Sequence, residues 1–449
     1  MRTSLGKLIL LAGLGIGLGV VLMLRVLSGP EGQESAGGES EAGETEQQSA
    51  ETGKRAGRWA KQESRDEALT PEQQESIEQL EAIGYTGGSF EASSNASGVT
   101  VYQKERVDPG FNLYTSGHGP EAILLDMEGN ELHRWRHSFF DIWPDSDQDP
   151  EGEPVSWWRR TFLCDNGDLL AIFEGQAIIK LDRNSELLWA SPIGAHHDLE
   201  VLPDGDVLVL TREAHMLPRI SQAHPILEDF ISVLDSAGRE KSRLSLIEAF
   251  ENSEFMDLWL SSADPKKRRP GDIFHTNTLA LLDGRIADKL KEFRAGNLLI
   301  SVRQLNTIAV VDPEQKRVVW ARRGDFVAQH DPSVLENGNL LLFDNRGGWE
   351  GRSRVLELDP ATFRTVWTYE GTAEKPFFSR ALGTAQRLPN GNTLITESDR
   401  GRAFEVTPEK EIVWEFLNPH RAGENGEFIA AISEMRRLPA AFRTDWLPR

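Results

Sequence analysis

The sequence predicts an all-β fold, a six-bladed β-propeller, and three observations carry that prediction. A turn signal followed by an alternating or apolar run occurs six times, in PGFNLYTS, NGDLLAIF, DGDVLVLT, AGNLLISV, NGNLLLFD and NGNTLITE. After each comes a further strand-like run and then a short strand that usually ends near tryptophan, as in ELHRWRH, ELLWAS, RVVWARR, RTVWTYE and EIVWEF. The last of these tryptophans keep time: 47 residues separate Trp320 from Trp367 and Trp367 from Trp414. Units of roughly 40–50 residues with about four strands each are the mark of a propeller. The tail AISEMRRLPAAF is expected to supply a closing strand, because a ring must stitch its first and last blades together.

The elements follow in chain order. Residues 8–24, LILLAGLGIGLGVVLML, are uninterrupted apolar sequence behind Arg2 and Lys7, close to the ~20 residues that span a bilayer. No small-residue cleavage pattern precedes SGPEG, so residues 1–28 are expected to stay as a single-pass membrane anchor. The positive flank would lie in the cytoplasm and the rest of the chain on the extracytoplasmic, periplasmic side. Residues 29–69 form an acidic linker, largely Glu, Gly, Ser and Gln in its first half, with almost nothing to bury, and are expected to be disordered. Residues 70–96 hold a short helix and connector: Thr70 caps, Pro71 starts the helix, Gln73 completes a capping box and Gly84 ends it. The propeller is expected over residues 97–449.

Composition narrows the partners. The chain has 449 residues, enough for a large core, with 39% hydrophobic and 27% charged residues. A formal net charge of −22 argues against nucleic acid, whose phosphates call for lysine and arginine. Cys164 is the only cysteine, which removes intrachain disulfides and cysteine-only metal clusters; it reads as a small apolar residue. A homodimer is compatible with the sequence but nothing in it requires one.

The register of the repeats points to a site. AHHDLEVLPDGD and AQHDPSVLENGN both place a histidine eight residues before the turn glycine, His197 before Gly205 and His330 before Gly338. The same step back from Gly167 and Gly391 reaches Arg159 and Gly383. His275 holds nearly the same place, nine residues before Gly284. All five positions should start inner strands and face one mouth of the channel. Seven residues past the turn glycine, at the end of the returning strand, stand Arg303, Arg212 and Asn345. A hairpin should therefore set Arg303 beside His275, Arg212 near His197 and Asn345 near His330.

Burying several imidazoles together is costly unless they share a ligand or a task. His118, His133, His137, His215, His224 and His420 are instead expected to be satisfied structural residues. Three histidines could hold zinc, but Arg303 would repel a cation, and an anion suits the cluster better. Imidazole near neutral pH also serves as nucleophile or general acid and base. Trp157, Trp158 and Phe326 are read either as ring-stacking residues or as core.

These residues resemble the bacterial arylsulfotransferases that work without a nucleotide sulfate donor. The matching pieces include HHDLEVLPDGDVLVL, FHTNTLALLDG, NLLISVRQLNTIAVVD, AQHDPSVLENGNLLLFDNR and GTAQRLPNGNTLITESDRGRAFEVTPEKEIVWEF, in family order over most of residues 99–420. The resemblance implies a propeller catalytic domain that takes a sulfuryl group from an aryl sulfate onto a histidine and passes it to a phenol, without a cofactor. It implies His330 as the nucleophile and His197, His275 and Arg303 around the sulfate, with Arg159, Arg212 and Asn345 as weaker candidates for substrate contact. The chain departs from the family in its tether, in its lack of a cysteine pair, and in the short stretch ahead of the propeller. Two other readings stay open on sequence: a propeller that binds an anionic ligand without turnover, and a metal-dependent hydrolase or lyase.

Overall fold

The structure, a computed structural model of the chain, describes residues 89–149, 153–260, 271–373, 375–423 and 425–447. The expected anchor at 8–24, the linker at 29–69 and the helix beginning at Thr70 lie outside them. Among the described residues no helix is long and apolar enough to cross a membrane.

The described residues form a propeller-like, all-β fold of six antiparallel sheets with four or five strands each, plus a small three-stranded sheet. Sheet I orders its strands Ile432–Pro439, Gly110–Ser116, Glu121–Leu125 and Glu131–Arg136. Sheets II, III, IV and V begin with Arg160–Leu163, Ala195–Val201, Thr276–Leu281 and His330–Val334, and each continues through three further consecutive strands. Sheet VI runs from Thr384–Arg387 to Ile412–Leu417 and gains Gly98–Tyr102 as a fifth, outer strand. The tail thus supplies the first strand of sheet I, pairing along Gly110–Ser116 as its sequence led us to expect. The turn glycines Gly167, Gly205, Gly296, Gly338 and Gly391 all have φ between 86° and 90°, the left-handed conformation that glycine adopts without strain.

The core lies between sheets. Six apolar clusters occupy the spaces between II and III, III and IV, IV and V, V and VI, VI and I, and I and II. The recurring tryptophans explain why the repeat has to be kept. On the fourth strand of its sheet, Trp135 donates its indole N–H to Gly167 O of the next sheet (3.0 Å), Trp367 to Pro408 O (2.9 Å) and Trp414 to Met127 O (2.9 Å). Trp189 lies against Gly238 so closely that a Cβ there would meet its ring at 2.5 Å. Trp135, Trp367 and Trp414 therefore lock a sheet to its successor, apolar body in the seam and polar tip on a carbonyl, whereas Trp189 does so by packing alone.

Trp158 and Phe326 belong to two of these clusters, and Trp157 is buried as well, so the core reading applies to them. Cys164 is half-buried against the cluster between sheets II and III, and burial pushes its thiol up. His133, His137 and His215 each have a hydrogen-bond partner in the protein: Arg183 O (2.8 Å), Ser138 O (3.2 Å) and Glu228 (2.6 Å).

Trp414 closes the seam between sheets VI and I and is fully buried. Trp414→Ala is expected to cost about 3–5 kcal/mol, read as a lower denaturation midpoint; an unchanged midpoint would contradict the role given to the tryptophans.

Candidate active site

The first strands of the sheets do not start smoothly. His197 and His275 sit at φ 54° and 49°, Asp331, next to His330, at 55° and Gly383 at 104°. The ladders of sheets III, IV and V slip register at the same points. Such bulges turn a side chain out of the strand's alternation and collect at functional sites. At the fourth position only glycine fits, because a Cβ on Gly383 would lie 2.7 Å from the Phe343 ring.

The bulges bring the predicted histidines together. The rings of His197 and His275 meet edge to face, centroids 5.1 Å apart. Both are buried, as is His330. Arg303 opens a short turn right after the strand Leu298–Val302, and its backbone N–H donates to His275 O (3.3 Å). Asn345 Oδ1 stands 2.7 Å from His330 Nδ1. Arg212 and Arg159 are buried near Glu174, with Arg212 Nη1 3.7 Å from Oε1 and Arg159 Nε 3.9 Å from Oε2. The pairings expected from register therefore hold: Arg303 with His275, Asn345 with His330, and Arg212 with His197 through a shared carboxylate.

Two acidic residues at the centre were not anticipated. Glu174 accepts the backbone N–H of His197 (3.1 Å) and lies 3.1 Å from its Nδ1. It stands seven residues past Gly167, so the step that found Arg212 and Asn345 also reaches it. Its neighbour Gly175 leaves room for the Arg212 guanidinium, which a Cβ there would meet at 2.0 Å. Asp272 lies three residues before His275 and accepts from its Nδ1 (2.7 Å). Aspartate spaced three before a histidine is the available signal, hidden at the edge of an insertion. His196, adjacent to His197, is buried with Nδ1 2.9 Å from His197 Nδ1 and Nε2 3.7 Å from Asp229.

The electrostatics separate the imidazoles by role. Burial, with Arg303 and Arg159 next, drives His330 well below the usual histidine value. Burial, with Arg159 next, does the same to His197. Burial also lowers His275, but Asp272 opposes it and favours the charged ring. Burial raises Asp272, yet the His275 contact and the Arg212 charge outweigh it and keep it ionised. Burial and the Asp272 charge lift Asp229 to about 7.

The tautomer of His330 follows from its neighbours. Nδ1 faces two acceptors, Ala328 O (3.0 Å) and Asn345 Oδ1 (2.7 Å). Asn345 cannot be turned around, because its Nδ2 donates to Ser379 O (2.9 Å) and Leu382 O (2.6 Å). The proton is on Nδ1, and Nε2 carries a lone pair.

Glu174, His196 and His197 each offer a ligand atom within 4.8 Å of the others. The guanidiniums of Arg159 and Arg212 beside that carboxylate make the pocket hospitable to an anion rather than a metal cation.

The fold and this cluster define a propeller-like protein with a buried centre of imidazoles and guanidiniums. A family profile described as Arylsulfotransferase (ASST) matches residues 160–419, more than half of the sequence, and the chain belongs to that family. Membership supports a sulfotransferase role and small-molecule substrates. Among solved structures the chain is similar to a Bacteroides caccae protein of unknown function at 13% identity, over 73% of this chain and 98% of that one, with a TM-score of 0.46. It is also similar to a streptogramin B lyase at 13% identity, over 78% and 97%, TM-score 0.39. A third is the WD40 propeller domain of Doa1, at 12% identity over 78% and 96%, TM-score 0.40. No curated protein matches the chain.

Nitrogen–proton correlation spectra of the imidazoles should find His330 neutral, with its proton on Nδ1, when the pH is lowered to about 6.5. An imidazolium, or a proton on Nε2, at that pH would remove the tautomer argument.

Proposed function

We propose that the chain is a six-bladed propeller enzyme that moves a sulfuryl group from an aryl sulfate to a phenol through a sulfohistidine on His330. The observation that carries this reading is the lone pair on His330 Nε2, fixed by two acceptors at Nδ1 in a site rich in cationic donors. An imidazole that is neutral and already in the reacting tautomer needs no base to activate it.

In the first half, His330 Nε2 forms a bond to sulfur as the bond from sulfur to the aryl oxygen breaks. The departing aryl oxide takes a proton from His275, whose Nδ1 is held by Asp272 so that Nε2 is the exchanging nitrogen. In the second half, the incoming phenol gives its proton back to His275, and its oxygen displaces His330 from sulfur. Charge spread over the three sulfuryl oxygens in flight calls for fixed donors. Arg303 supplies a planar fork, and His197 a further ring on the same side. Arg159 and Arg212, buried beside Glu174, add further positive charge. No cofactor enters this scheme.

We also propose that residues 8–24 anchor the enzyme in a membrane with the propeller on the extracytoplasmic side. The apolar length and the flanking Arg2 and Lys7 support it. Protease added to intact spheroplasts should then degrade the propeller; full protection would reverse the orientation.

Brief exposure to an aryl sulfate donor alone should leave a sulfuryl adduct on the peptide containing His330. His330→Ala should lose both the adduct and transfer to a phenol. Tight donor binding with neither adduct nor release of the aryl alcohol would make the chain a binder instead. Arg303→Ala is expected to slow transfer by about 100-fold or more, measured as turnover of a chromogenic aryl sulfate.

A further inference from the structure

Away from the axial cluster, a second group of metal-ligating side chains stands where sheet I meets the chain leaving sheet VI. His118 and Glu121 flank the turn, HGPE, between the strands Gly110–Ser116 and Glu121–Leu125. His420 follows the strand Ile412–Leu417 and precedes the closing strand Ile432–Pro439. The His118 and His420 rings stack with centroids 3.3 Å apart and planes 6° from parallel. His118 Nε2 contacts Glu121 Oε1, and one nitrogen or oxygen from each of the three residues lies within 4.8 Å of the other two.

We propose that His118, Glu121 and His420 bind one divalent transition-metal ion of the zinc class, which clamps the closure between sheets VI and I. Two imidazoles and a carboxylate form a common zinc set with room for water in the fourth position. The surroundings fit. Ser116 Oγ contacts Nδ1 of His118, the kind of outer hydrogen bond that orients a ligating imidazole and leaves Nε2 for the ion. The charge also fits: Arg134 contacts Glu121, but its guanidinium is also bound to Glu131 through Nε (3.0 Å) and Nη2 (2.5 Å). Two carboxylates against one guanidinium leave a net negative charge for a dication. This distinguishes the group from Glu174, His196 and His197, where two arginines crowd one carboxylate. Access is open, since both imidazoles are half-buried and Glu121 alone is buried.

The clamp joins residues about three hundred positions apart in sequence, across the seam where the ring must be stitched. An ion that binds only the folded chain stabilises it by mass action. The proposal goes beyond the sulfotransfer reading and does not depend on it.

The test uses the full-length protein, dialysed against a chelator and then titrated with Co²⁺ and Zn²⁺. One equivalent of Co²⁺ should give visible ligand-field absorption that Zn²⁺ displaces, and either ion should raise the melting temperature. His420→Ala and Glu121→Gln should abolish the absorption, Ser116→Ala should weaken binding by roughly tenfold, and His197→Ala should leave it intact. Co²⁺ should also shift the ring-proton resonances of His118 and His420 in the unsubstituted protein, a reading that survives if a variant fails to fold. Absence of saturable Co²⁺ binding, or binding that persists in both His420→Ala and Glu121→Gln, overturns the proposal.

Discussion

The site depends on a chain of hydrogen bonds that passes from sheet to sheet onto the inner strands. Asp229 accepts the Thr276 N–H (2.6 Å), Asp198 the Leu279 N–H (2.9 Å), Thr278 the Asp331 N–H (2.9 Å) and Asp331 the Ala385 N–H (3.0 Å). These links run from sheet III to sheet VI, and they hold backbones that ordinary strand geometry would release. A non-glycine residue at positive φ is uncommon and persists only where its surroundings over-determine it. Here side-chain carboxylates and a hydroxyl accept from backbone donors on the neighbouring sheet's inner strand, at or near the bulges. His197 and His275 are presented to the axis because their neighbours hold the bulges open.

The same use of acidic groups explains why imidazoles in matching positions differ in character. His275 has a carboxylate at Nδ1 and His330 an amide oxygen. An ionised partner supports the imidazolium, whereas an amide fixes orientation without stabilising charge. One register thus yields a ring suited to exchange protons and another suited to attack. On the inner strands, Arg160 binds Asp198 (2.8 Å) and Glu434 (2.6 Å), and Arg436 binds Asp331 (2.7 Å). These ion pairs balance buried carboxylates and tie the closing strand to sheets II and V.

Much of this was legible in the sequence because a propeller is a repeat, and repetition makes register readable. Turn glycines, outer tryptophans and histidines at equal offsets each specify a place in a blade, and the structure puts Asn345 at His330 and Arg303 at His275 accordingly. Glu174 obeyed the same offset but does not look like its counterparts, since the repeat constrains where a side chain goes and not its charge. Asp272 was hidden by the insertion after Leu246–Glu251, which breaks the count on which register depends. His196 could not be placed because alternation along a strand fails at a bulge. The meeting of His118 with His420 had no signature in the repeat at all, for it arises only when the two ends of the ring are brought together.

The five-stranded sheet has a mechanical consequence. The described chain first pairs at Ser89–Glu91 with Phe428–Ala430 of the small sheet and then at Gly98–Tyr102, the outermost strand of sheet VI, with Ile412–Leu417, while His197, His275 and His330 come from sheets III, IV and V. A tug on the preceding residues would load the three-residue pairing at Ser89–Glu91 and then the peripheral ribbon before it reached the inner strands. These two peripheral pairings stand between the attachment and the inner strands that carry the imidazoles, as a strain relief would.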